Sequence, residues 1–188
     1  MNDLLAALLL GIIEGITEFL PISSTGHLLI AQHWLGARSD LFNIGIQAGA
    51  ILAVVLIYRQ RLWNLLAGFR EPGNRDYLLK LGVAFAVTAV LGIVVKKLGF
   101  ELPEDVAPIA WALIIGGFWM IAAEHFAAKR AKVLGERSTI TWTVAILVGI
   151  AQVVADVFPG TSRSGATTRV ALLAGTTNRA AAPQFAFL

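Results

Sequence analysis

The chain has 188 residues, of which 57% are hydrophobic and 14% charged, at a mean hydropathy of +0.74. That leaves too few polar groups to cover a water-soluble globule, so an ordinary soluble domain is excluded and an integral membrane protein is indicated. The net charge of +3 arises from short basic clusters between apolar runs, a topology signal rather than a nucleic-acid footprint, and the absence of cysteine excludes disulfides, thiol nucleophiles and cysteine metal sites.

Residues 4–20 read as an apolar helix that stops at Pro21. No basic n-region or small-residue cleavage site accompanies it, so a removed signal peptide is not expected. After the turn Ser23-Ser24-Thr25, the arm from Gly26 to Leu35 is too short to cross roughly 30 Å of hydrocarbon. The pair reads as a re-entrant hairpin over residues 4–36. Residues 41–58, about 78–95 and about 108–127 are each long enough to span, and the last carries Trp111 and Trp119. The segment 139–158 leads into a second polar loop, and the arm from Gly165 to Ala174 is again short, which predicts a second re-entrant hairpin. Arg179 to Leu188 enters what reads as a further apolar segment.

The two loops are related. Gly11 to Thr25 aligns without a gap on Gly149 to Arg163: Gly, Ile, Pro and Ser coincide, Glu14 falls on Gln152, and Glu18 falls on Asp156. This internal repeat pairs an acidic copy with a basic one. Arg59, Arg61, Arg70 and Arg75 fall in one connection and Lys129, Arg130, Lys132 and Arg137 in another, whereas Glu101, Glu104 and Asp105 offset Lys96 and Lys97. The positive-inside rule makes the basic connections cytoplasmic and the N-terminus external. Three crossings between the copies make the hairpins enter from opposite faces, with their polar tips meeting near the midplane. Backbone outside a helix at that depth requires a wet cavity. By symmetry, the second repeat requires crossings beyond Leu188, so the chain is expected to be a fragment or a truncation.

The second loop, Pro159-Gly160-Thr161-Ser162-Arg163-Ser164-Gly165-Ala166-Thr167-Thr168, is suited to an anion. Pro159 interrupts the preceding helix, Ser162 is a good N-cap for the next, and free N–H groups and the positive helix end converge there. Arg163 adds a fork that matches phosphate oxygens, with Ser162, Ser164 and Thr167 as further phosphate-binding candidates. A guanidinium inside a membrane hairpin requires an anionic partner, either the substrate or Glu14 and Glu18 across the repeat interface.

Glu14 and Glu18 are four residues apart and share a helix face, where they repel unless a proton or cation lies between them. Paired carboxylates suit a divalent metal bridged to phosphate, and all-oxygen ligation favours Mg²⁺ or Ca²⁺. His27, one turn beyond Ser24, can serve as general base, general acid or nucleophile. His33 and His125 read as structural or interfacial, Gln47 and Gln152 as helix-to-helix hydrogen bonders, Arg169 as an interfacial charge, and Asn178 with Arg179 as a boundary.

At these residues the chain resembles the undecaprenyl-diphosphate phosphatase family, also called bacitracin-resistance proteins. The resemblance rests on Glu14 to His27, on Ile46-Gln47-Ala48-Gly49-Ala50-Ile51-Leu52-Ala53-Val54, on Pro159 to Thr167 and more weakly on Arg179 to Leu188, with Asn43 where the family usually carries an acid. It implies an all-α polytopic protein of two inverted repeats with re-entrant helical hairpins, here lacking the C-terminal helices. Residues 1–128 would form the first repeat and 138–188 the start of the second. It also implies a bacterial inner-membrane enzyme that cleaves a polyprenyl diphosphate to the monophosphate and inorganic phosphate. That reaction would recycle the peptidoglycan lipid carrier and confer bacitracin resistance. The family's acidic pair falls on Glu14 and Glu18, its serine and histidine on Ser24 and His27, and its serine-arginine-serine and threonine on Ser162, Arg163, Ser164 and Thr167. On these, the residues read as catalytic are Glu14, Glu18, Ser24, His27 and Arg163, those read as phosphate ligands are Ser162, Arg163, Ser164 and Thr167, and those read as metal ligands are Glu14 and Glu18. The nucleophile stays open among water, Ser24 and His27. Partners are a polyprenyl diphosphate, the membrane and, as an option, a second copy in a homodimer; no nucleic acid is expected. An inverted-repeat transporter or lipid flippase is the competing reading, and a non-catalytic lipid-binding membrane protein is a third.

Overall fold

The computed structural model describes residues 2–99, 106–158 and 160–188, excepting the side chain of Val106. Glu101, Glu104 and Asp105 of the acidic connection and Pro159 of the second loop lie outside the described residues. Among the described residues all regular structure is helical, in the order α1 (Asp3–Thr17), α2 (Ser24–Leu35), α3 (Asp40–Ile57), α4 (Arg59–Ala67), α5 (Pro72–Lys97), α6 (Val106–Leu134), α7 (Trp142–Val157), α8 (Arg163–Ala174) and α9 (Ala181–Phe187).

Among these, three helices are long and apolar enough to cross a membrane: Asp40–Ile57, Pro72–Lys97 and Ala107–Leu134. They correspond to the predicted spans, with longer second and third members. At 1.5 Å per residue α5 and α6 reach about 40 Å, beyond the hydrocarbon, so their ends emerge at headgroup level. Arg75 therefore lies in the first turns of α5, and Lys129, Arg130 and Lys132 lie in the last turns of α6, where the sequence reading placed them in connections. Large apolar side chains such as Phe85, Trp111, Phe118 and Ile121 point outward and are more than 60% exposed. A lipid surround, rather than water, makes that surface stable.

α4 is a correction to the sequence reading, which treated residues 59–77 as a connection. Its charged Arg59 and Arg61 alternate with exposed Trp63 and Leu66, while Leu65 is buried. This is the composition of a short helix lying at the membrane interface.

α1 is capped by Asn2 and ends at Thr17, three residues before the predicted stop. Thr17 Oγ1 donates to Ile13 O at 2.7 Å, and a turn over residues 18–22 follows. Ser23, at φ +64°, reverses the chain in the left-handed region that few L-residues adopt, and its Oγ accepts from Gly26 N to cap α2. α7 and α8 form the second helical hairpin. The four hairpin helices have 15, 12, 16 and 12 residues, each shorter than a bilayer crossing.

Packing brings the hairpins together. α7 packs on α5 and α8, α1 on α2 and α3, and α6 on both α2 and α8. Gly149 allows the α5–α7 approach: a Cβ there would stand 2.6 Å from Ala84 O, and Thr88 Oγ1 donates to Gly149 O at 3.1 Å. The buried core gathers Ala84 of α5, Val144 and Val148 of α7, Leu172 of α8 and Phe185 of α9.

Candidate active site

A cavity of about 390 Å³ opens between the two loop tips. Glu18, Ser24 and Thr25 line it from the first hairpin, Asp156, Ser162 and Arg163 from the second, and Gln47 from α3. Local geometry explains how each group arrives. Glu18 is the C-cap of α1, its N–H still bonded to Glu14 O, so its carboxylate projects from the last turn into the polar loop. Ser24 opens α2, and its Oγ donates to Glu18 Oε2 at 2.6 Å.

On the other side, Ser162 caps α8, its Oγ accepting from Gly165 N at 3.1 Å. Arg163 is thereby the first residue of α8 and donates through Nη2 to Glu18 Oε1. Ser164 Oγ donates to Leu20 O at 3.0 Å and lies 3.2 Å from Ser162 Oγ. The acidic copy and the basic copy of the repeat thus meet in an ion pair and a hydroxyl-to-carbonyl bond.

Two glycines allow the close approach. Gly160 adopts φ +108°, and a Cβ there would stand 2.6 Å from Ile109 O of α6. A Cβ on Gly165 would stand 2.5 Å from Met120 Sδ and 3.1 Å from Pro21 Cβ. A side chain at either position would push the second loop away from α6 and from the first loop.

Glu14 is fully buried, and neither carboxylate oxygen has a hydrogen-bond partner among the described residues. It lies one turn before Glu18 on the same helix face. His27 is half-buried and donates from Nδ1 to Ser23 O at 2.8 Å, which leaves Nε2 as an acceptor; it is not among the cavity-lining residues. Thr167 is buried and donates to Arg163 O at 2.7 Å; it lines an adjoining space of about 440 Å³ that shares Glu18, Arg163 and Ser164.

For several residues the structure adds to or differs from the expectation of the sequence. Gln47 faces the cavity instead of a neighbouring helix, and Gln152 faces the adjoining space. Arg169, read as an interfacial charge, is paired: its Nε lies 3.1 Å from Glu124 Oε2 of α6, and Arg179 pairs with the other oxygen of the same carboxylate. Glu124 was missed, although a lone acid in an apolar span signals a buried partner. Gln32 was missed as well; its Nε2 donates to Asn43 Oδ1 at 2.8 Å, fixing the end of α2 to the start of α3. His33 and His125 are exposed, each in an edge contact with an adjacent aromatic ring.

Residues 7–188 match the family of bacitracin resistance protein BacA. The chain belongs to this family. Among its relatives are the undecaprenyl-diphosphatases of Rhizobium etli (strain CIAT 652), 71% identical over 186 residues, and of Rhizobium johnstonii (strain DSM 114642 / LMG 32736 / 3841), 69% identical over 186 residues. In both cases the match covers 99% of this chain and 69% of the relative. The undecaprenyl-diphosphatase of Xanthomonas euvesicatoria pv. vesicatoria (strain 85-10) is 64% identical over 188 residues, covering 100% of this chain and 69% of the relative. The matched residues take in the second hairpin, all but the first four residues of the first, and every residue that lines the cavity.

Proposed function

We propose that this BacA-family chain is an undecaprenyl-diphosphatase, releasing inorganic phosphate from a polyprenyl diphosphate and leaving the lipid monophosphate. The observation that carries this reading is the Glu18–Arg163 contact inside a polar cavity walled by apolar helices. The apolar helix surface accommodates the isoprenoid tail, and the diphosphate enters the cavity. Arg163 has five N–H donors, so the fork can bind the terminal phosphate while one donor still orients Glu18. The hydroxyl of Ser162 and the α8 N-terminus add donors where negative charge accumulates.

Ser24 is the nucleophile this geometry favours. Its hydroxyl already donates to Glu18, which can take the proton as Oγ attacks the terminal phosphorus, while the polyprenyl monophosphate departs. Water then cleaves the seryl phosphate, releasing inorganic phosphate and restoring the hydroxyl. Glu18, protonated in the first step, returns its proton to the Ser24 oxygen as the seryl phosphate is cleaved. Thr167 supports the site by fixing the first turn of α8 beneath Arg163.

The carboxylates fit a divalent cation, Mg²⁺ or Ca²⁺. Glu14 is a buried acid whose oxygens have no hydrogen-bond partner among the described residues, Glu18 lies one turn on, and no cluster of three His, Asp or Glu exists among those residues to complete a protein-only site. Phosphate and water oxygens would supply the remaining ligands, and the ion would spread phosphate charge.

We further place the chain in the bacterial plasma membrane and assign residues 1–128 and 138–188 to two inverted repeats. Both hairpins come from one chain, and a homodimer is an option. Acid-quench trapping of labelled phosphate tests the mechanism: label on wild type and none on Ser24→Ala is expected, whereas phosphate release persisting in Ser24→Ala contradicts it. Lipid translocation without hydrolysis in proteoliposomes would favour the flippase reading instead.

A further inference from the structure

A second concavity, of about 680 Å³, lies at the start of α5 and shares no residue with the cavity above. It is an open groove with Arg70 and Arg75 at one end and Leu78, Leu79, Gly82 and Val83 along its length. α5 is long enough for its first turn to emerge at headgroup level, which places the two guanidiniums beside lipid phosphates. Leu78 to Val83 then lie about 5–12 Å deeper along the helix, among acyl chains.

The two arginines are not neutralised from within the chain. Neither takes part in an ion pair among the described residues, and Arg70 contacts only the ring of Phe69, at 5.5 Å to the centroid. The neighbouring acids are engaged elsewhere: Glu71 accepts from Asn74 Nδ2 at 3.1 Å, and Asp76 binds Lys80 at 2.5 Å. Gly82 supplies the notch, since nothing lies within 4 Å of the place a Cβ would occupy. Two unpaired cations at the head of an apolar trough are complementary to one class of molecule in the bilayer.

We infer that this groove binds a single anionic phospholipid, with its phosphate between Arg70 and Arg75 and an acyl chain along Leu78, Gly82 and Val83. The excess of arginine in the α4–α5 region assigns the site to the cytoplasmic leaflet. A free phosphate would satisfy the arginines alone; the continuous apolar wall selects the lipid.

Native mass spectrometry of the detergent-purified chain tests this by titrating phosphatidylglycerol and phosphatidylcholine of identical acyl chains. The expected result is a saturable phosphatidylglycerol adduct roughly tenfold or more favoured over phosphatidylcholine. R70A/R75A should reduce that preference to unity, and Gly82→Leu should lower occupancy while sparing the charges. Lys96→Ala/Lys97→Ala, at the other end of α5, should leave it unchanged, and phosphate release by every variant should stay near wild type. Equal binding of the two lipids by wild type overturns the inference, as does a preference that survives R70A/R75A. Inorganic phosphate that displaces the adduct at equal concentration would instead assign the arginines to a soluble anion and overturn the lipid assignment.

Discussion

Arg163, the first residue of α8, donates to Glu18, the residue that closes α1, across 145 positions of sequence. Glu18 is largely buried and Arg163 about half exposed, so the pair lies between a buried and a surface ion pair. Its main effect is to hold two loops in register around one cavity. Glu18→Ala and Arg163→Ala should each lower kcat/KM by roughly 100-fold or more. In thermal unfolding, the double variant should be less destabilised than the sum of the singles by about 0.5–3 kcal/mol. Strict additivity would show that the contact contributes nothing to joining the hairpins.

Glu14 leads to a prediction of opposite sign for stability and activity. A buried carboxylate without a partner is costly, and an amide of the same shape is less so. Glu14→Gln should therefore unfold at the same temperature as wild type or higher, yet lose phosphate release and the stabilisation conferred by added Mg²⁺ or Ca²⁺. A lower unfolding temperature with retained activity would assign Glu14 a purely structural role.

The Glu124 network separates two arginines by burial. Arg179 is 63% exposed and Arg169 21%, although both reach the same carboxylate. Arg179→Ala should cost roughly 0–1 kcal/mol, as surface pairs do. Arg169→Ala should cost more, about 1–3 kcal/mol, because it leaves Glu124 facing α8 without its less exposed partner. Equal effects in thermal unfolding would refute this ranking.

Close helix approach gives a further test. Gly149→Ala inserts a methyl 2.6 Å from Ala84 O and 3.0 Å from Val87 Cβ, so α5 and α7 must separate. A loss of about 1–3 kcal/mol is expected, as for overpacking generally. Gly11→Ala, with nothing within 4 Å of the added carbon, should be neutral or slightly stabilising in the same assay.

Much of the site was legible because membrane burial makes polar residues rare. Glu14, Glu18 and Arg163 stood out against apolar neighbours, and the gapless repeat set Glu18 and Arg163 on opposing hairpins before any contact was known. What escaped depended on partners distant in sequence. Arg169 alone reads as an interfacial charge, and α6 packing on α8 brings it to Glu124. Gln47 fits a helix interface equally well until α3 is seen to border the cavity. α4 is hidden by its charges, since Arg59 and Arg61 lower its hydropathy below that of a span while leaving the composition of an interfacial helix. The strained Ser23 had no sequence signal, because φ +64° is ordinarily the conformation of glycine or asparagine.

Glu18 and Arg163 are proposed to serve one metal-assisted phosphatase site within a single chain. The most direct measurement is inorganic phosphate release from a polyprenyl diphosphate by the detergent-purified chain, with and without a chelator, beside Glu18→Gln and Arg163→Ala. Release by wild type that the chelator and both substitutions abolish is the predicted result. Release that persists in either variant, or that is indifferent to the chelator, would contradict it.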